Sequence, residues 1–132
     1  GHTGHLRIEV EGNVDKRTGF VVPCNQIKKT AWDYIQNFDH ALILQKEDPL
    51  LPFVLETYEK QGIKDGVSTN RNIGHPIDNE LAKAYPQSRL VVVEKPATCE
   101  NMIEIFYSLL KDSFNIKKME FTSGDNSACC SY

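Results

Sequence analysis

The chain has 132 residues, with 15 Lys and Arg against 18 Asp and Glu and a formal net charge of −3. That length is most economically one domain with a single core. No basic stripe with interleaved aromatics is present, which argues against nucleic acid as a partner, and no apolar run approaches membrane-spanning length or opens the sequence as a signal peptide. The four cysteines, Cys24, Cys99, Cys129 and Cys130, form no CxxC pair and read as reduced thiols of a cytoplasmic protein.

Gly1 to Glu11, GHTGHLRIEVE, sets His2, Gly4, Leu6, Ile8 and Val10 in alternation with Thr3, His5, Arg7, Glu9 and Glu11. Period two predicts a half-buried strand. Gly12 to Gly19 is rich in turn residues and Phe20 to Pro23 is β-rich, so the two runs predict an antiparallel hairpin with a long loop, stopped by Pro23. From Ile27 to Leu44, apolar residues recur at Ile27, Ala31, Ile35, Phe38 and Leu42, a helical stripe. Asp39 and His40 sit near its end. A carboxylate beside a His can orient the imidazole and raise its basicity, as proton transfer requires.

Beyond the loop Gln45 to Leu50, Pro52 to Gly62 predicts a short helix. Lys64 to Asn79, which includes His75, has loop composition, and Glu80 to Tyr85 reads as one or two more helical turns. Arg89 to Glu94, RLVVVE, is of buried-strand type. Pro96 breaks it, Thr98 is a good N-cap, and a helix with Glu100 in its first turn runs to about Phe114. Its apolar stripe is Met102, Ile103, Phe106, Leu109 and Leu110. Ile116 to Tyr132 predicts one or two strands interrupted at Ser123-Gly124-Asp125. The order β-β-α, irregular insert, β-α-β predicts an α+β domain with a largely antiparallel sheet.

Six short stretches, in order, carry a resemblance. They are Gly1-His2-Thr3-Gly4-His5, Gly19-Phe20-Val21-Val22, Ile27-Lys28-Lys29, Phe38-Asp39-His40-Ala41-Leu42, Ala97-Thr98-Cys99-Glu100-Asn101 and a terminal strand ending at Tyr132. With them the chain resembles the family of 6-pyruvoyl-tetrahydropterin synthase and 6-carboxytetrahydropterin synthase, with a longer insert at about 46–87. The resemblance implies the tunnelling fold, an antiparallel sheet with two main helices packed on one face. It also implies a homo-oligomer, trimer or hexamer, joined through its sheets.

The activity implied is that of a zinc-dependent lyase on 7,8-dihydroneopterin triphosphate, in tetrahydrobiopterin or queuosine-precursor biosynthesis. By resemblance, Asp39 and His40 move protons. Thr98, Glu100, Glu120 and Thr122 bind substrate, a carboxylate suiting the guanidine-like edge of a pterin. His2 and His5 are the expected metal ligands; in the family a further zinc His and a catalytic Cys lie on a strand upstream of the paired-His strand, so the expectation for this chain is either a longer protein or a reduced site. In the family the paired His are two residues apart. In this chain an ungapped comparison keeps His2 and puts Gly4 at the second position, whereas a bulge at Thr3-Gly4 would give that position to His5. Likewise Thr122 stands where the family's anchor Glu is expected, with Glu120 two residues before it on the same strand face. His75 is a further candidate ligand. The alternatives are a metal-free tunnelling-fold protein that binds a pterin or purine-like ring, and a purely structural oligomer.

Overall fold

A computed structural model describes residues 2–60, 69–70 and 89–132. The elements in chain order are β1 (Gly4–Val10), α1 (Cys24–Ile35), a 3-10 turn (Gln36–Phe38), β2 (Ala41–Gln45), α2 (Leu51–Lys60), β3 (Thr69–Asn70), β4 (Arg89–Val93), α3 (Cys99–Leu110), β5 (Ile116–Ser123) and β6 (Asn126–Ser131). The chain divides into two compact units, Gly1–Ala31 with Thr98–Tyr132, and Trp32–Ala97.

The first unit is built on an antiparallel sheet in the order β1-β5-β6. The alternation expected for β1 is present: Leu6, Ile8 and Val10 are half-buried while His5, Arg7 and Glu9 are exposed. Opposite Leu6 and Ile8 the register sets Phe121 and Met119, so one face of the sheet is apolar. Helix α3 covers that face. Thr98 caps it, accepting a hydrogen bond from the Asn101 N–H at 3.4 Å, and the apolar spacing buries Met102, Ile103, Phe106 and Leu110. Phe106 meets Phe121 edge-on, with centroids 5.2 Å apart and planes at 70°. Tyr107 stacks on Tyr132 at 3.7 Å. The β5–β6 hairpin closes through Gly124 and Asp125, with Ser123 paired to Asn126. Gly124 has φ +58°, and a positive φ at the first of two loop residues is the pattern in which Gly is favoured.

The expected hairpin of β1 with Phe20–Pro23 does not form; β1 pairs with β5. The reason is local. The Asp15 carboxylate accepts the N–H groups of Arg17 and Thr18 at 2.8 and 2.9 Å, and those two bonds, that to Thr18 first, hold its pKa below the usual range. Gly19, at φ +74°, donates to the Asp15 carbonyl at 2.8 Å, and Asp15 N–H donates to Phe20 O at 2.9 Å. Backbone groups that a ladder would need are spent inside the turn.

In the second unit a three-stranded sheet runs β2-β4-β3, all parallel, an addition to the expected antiparallel one. The long helix to Leu44 is also corrected, because α1 ends at Ile35. Asn37 Nδ2 donates to Tyr34 O at 2.8 Å, the buried Gln36 and Asn37 form the 3-10 turn, and His40 has φ 52°. Ala41-Leu42-Ile43-Leu44 then lacks a polar face, as suits a strand in a parallel sheet. It pairs with Arg89–Val92 in register. Leu44, Leu51 and Leu90 form a core under Val54, Leu55 and Val92. Within the stretch expected to be loop, Thr69–Asn70 is a strand. His75 and the helical turns expected at Glu80 to Tyr85 lie outside the described residues.

Candidate functional site

Register builds a polar grid on the sheet face opposite α3. His5 lies across from Thr122, which lies across from Ser127. Arg7 faces Glu120 and then Cys129, and Glu9 faces Lys118 and then Ser131. Glu120 and Thr122, both half-buried, therefore share a face with His5. Arg7, Glu9, Lys118 and Glu120 line a shallow cavity of about 110 Å³. Arg7 and Cys129 are additions to the site residues expected from sequence. Period two sets Arg7 beside His5, but only the pairing of β1 with β5 and β6 brings Cys129 onto the same face.

His2 precedes the ladder. Its Nδ1 lies 3.2 Å from where a Cβ on Gly124 would stand, so the ring rests against the β5–β6 turn. Gly4 is close to Phe121: a Cβ there would meet Phe121 Cε2 at 3.0 Å.

Thr98 and Glu100 sit together at the start of α3. The Glu100 carboxyl is held below its ordinary value of 4.5, first by its own backbone N–H and then by the Thr98 hydroxyl. Carboxylates are favoured in the first turn of a helix by the free N–H groups there. Thr98→Ala removes the cap and should cost about 1 kcal/mol in unfolding free energy. Because the folded pKa of Glu100 is depressed, its contribution is present above 4.5 and is lost as pH falls through the lower folded value. The stability gap between wild type and Thr98→Ala should therefore narrow in acid; denaturant melts at pH 7 and pH 3 measure it, and a gap that widens contradicts the assignment.

Asp39 and His40 occupy the turn between the 3-10 segment and β2. His40 Nε2 lies 3.9 Å from Asp39 Oδ2, with the side chains 77% and 49% exposed. The distance is that of a loose ion pair rather than a hydrogen bond. A positive φ is uncommon outside glycine and costs backbone energy, although His is among the residues that tolerate it better. At His40 it turns the chain directly from the 3-10 segment into β2.

Among the described residues no three His, Cys, Asp or Glu side chains gather where they could hold a metal ion. Zinc sites that do chemistry use about three protein ligands. His2 and His5 are two donors at most, so the described residues do not by themselves fit a zinc ion.

The family model described as 6-pyruvoyl tetrahydropterin synthase matches residues 1–132, the whole chain. The chain belongs to this family. The α+β content, the three α-helices among the described residues and the antiparallel sheet agree with the tunnelling fold of 6-pyruvoyl tetrahydropterin synthases. No curated protein and no solved structure matches the chain. Membership of the 6-pyruvoyl tetrahydropterin synthase family carries pterin synthase-like lyase chemistry at the family level and a pterin-type small molecule as substrate. No helix among the described residues is long and apolar enough to cross a membrane.

Proposed function

We propose that this chain is a lyase acting on 7,8-dihydroneopterin triphosphate, in tetrahydropterin or queuosine-precursor formation. The observation that carries the reading is the family match over residues 1–132. In this reading Asp39 and His40, 3.9 Å apart on the turn before β2, are the proton-transfer pair. Eliminating triphosphate and rearranging the side chain requires a proton to be taken from carbon next to an oxygen-bearing centre and later returned. In this reading His40 takes and returns that proton, while Asp39 orients the imidazole and stabilises its charged form. Glu120 accepts the paired N–H groups of the pterin edge, and Thr122 lies on the same strand face. Thr98 and Glu100 contribute from the start of α3.

Zinc belongs to the proposal as cofactor, with His2 as its candidate ligand from the start of β1. The proton steps belong to His40 and Asp39.

The assembly proposed is a homo-oligomer, trimer or hexamer, in a cytoplasmic setting. Strands β1 and β6 are the two outer strands of their sheet among the described residues, and exposed edges of this kind invite pairing with another copy. Light scattering at micromolar concentration should give a mass of at least three chains; a monomer contradicts this part of the reading.

The activity is tested by incubating the chain, with zinc supplied, with 7,8-dihydroneopterin triphosphate and measuring free triphosphate. Release above a heat-denatured control is expected. Pterin binding without release would leave the chain a binding protein instead.

A further inference from the structure

We infer that the segment leading into β1 offers a metal one imidazole, that of His2, rather than two, because the ring of Phe121 crowds the position where a second would be attached. The inference takes zinc from the proposed function but concerns only this chain's own side chains. The ungapped comparison puts the second ligand position at Gly4, two residues after His2. Gly4 lies on the strand face of Leu6 and Ile8, paired with Ser123. A Cβ at Gly4 would stand 3.0 Å from Phe121 Cε2 and 3.2 Å from Cζ. Such a contact forces one of the two to move.

Phe121 is poorly placed to move. Its ring packs edge-on against Phe106 at 5.2 Å, and Phe106, on the buried face of α3, is only 2% exposed. An aromatic pair of this geometry adds to the area that its rings bury. A side chain at position 4 therefore requires the ring to give by a few tenths of an ångström against that contact.

His5 does not stand in for the missing imidazole. The ladder pairs Gly4 with Ser123 and His5 with Thr122 and continues regularly to Glu9; the register shift of β1 falls between Glu9 and Val10. From Gly4 to Glu9 the ladder holds no bulge that would bring His5 round to the face of Gly4. His5 stays on the face of Arg7 and Glu9, opposite the one that Gly4 shares with Phe121. His2 itself leans on the Gly124 turn. Metal loading then depends on donors besides His2, and one imidazole binds a divalent cation more weakly than a chelating pair.

The test uses the full chain, zinc alone and a competing chelator. His5→Ala should bind zinc within about twofold of wild type. Gly4→His combined with Phe121→Leu should bind at least about tenfold tighter than Gly4→His alone, on the scale by which one well-placed residue changes metal affinity. Leucine keeps an apolar side chain against Phe106 while removing the ring edge. A readout without metal accompanies this: Gly4→Ala should lower the melting temperature in the wild-type background more than in the Phe121→Leu background. This second measurement decides the Phe121 claim if the His-bearing variants fail to fold. Loss of zinc affinity in His5→Ala overturns the inference, as do equal affinities in Gly4→His with and without Phe121→Leu, or equal melting shifts in the two backgrounds. None of these measurements uses the lyase reaction, so an inactive chain would refute the proposed function and leave this result standing.

Discussion

His40→Asn should lower triphosphate release by about 10²–10⁴-fold, the range usual for loss of a positioned proton-transfer group. Asparagine is the informative replacement because His40 sits at φ 52°. Asn tolerates the left-handed region, whereas Ala would add backbone strain to the loss of the imidazole. The side chain is 77% exposed, so its removal opens no cavity and the melting temperature should stay within a few degrees. Asp39→Asn should cost less than His40→Asn, since in the proposed mechanism the carboxylate at 3.9 Å positions the imidazole without reacting itself. Steady-state kinetics alongside thermal melts measure both effects. A His40→Asn protein with wild-type kcat would remove the pair from the chemistry.

The second large effect is on stability. Ile103→Ala should lower the unfolding free energy by about 2–5 kcal/mol. Ile103 is 0% exposed on the α3 face that covers β5 and β6, where Phe106, Leu110 and Met119 are also buried. Truncation there loses the transfer energy of the removed groups and leaves a void that packed neighbours fill only partly. Urea unfolding followed by circular dichroism measures it. A loss below about 1 kcal/mol, the ordinary cost of a mild substitution, would mean that α3 does not pack on the sheet through this residue.

Local physics made the first unit largely legible. The alternation of Leu6, Ile8 and Val10, the Thr98 cap, the stripe from Met102 to Leu110 and the Ser123-Gly124-Asp125 break all depend on neighbours within a few residues. What could not be read was partner choice. Phe20–Val22 carries β-forming residues, but the Asp15 turn uses up the backbone bonds beside it, and β5, more than a hundred positions further on, pairs with β1 instead. Leu42 fitted the helical stripe by period alone. The run from Ala41 to Leu44 is a strand because β4 lies ready to pair with it, a long-range fact that periodicity does not contain.

The candidate site divides in the same way. Glu120, Thr122 and His5 could be set on one face by counting in twos, once their strands were known to pair. The Asp39–His40 contact was adjacent in sequence and survives as a loose pair. The crowding of Gly4 by Phe121 was not legible, because it needs the two strands laid side by side and the ring packed against Phe106.

The most direct test of the central claim, a lyase that moves protons through Asp39 and His40, is the mass of the pterin product formed from 7,8-dihydroneopterin triphosphate in D₂O. Proton transfer through His40 predicts a product that has lost triphosphate and carries deuterium in its side chain, with both changes suppressed in His40→Asn. Substrate recovered intact and free of deuterium from the zinc-supplied wild-type chain would contradict it.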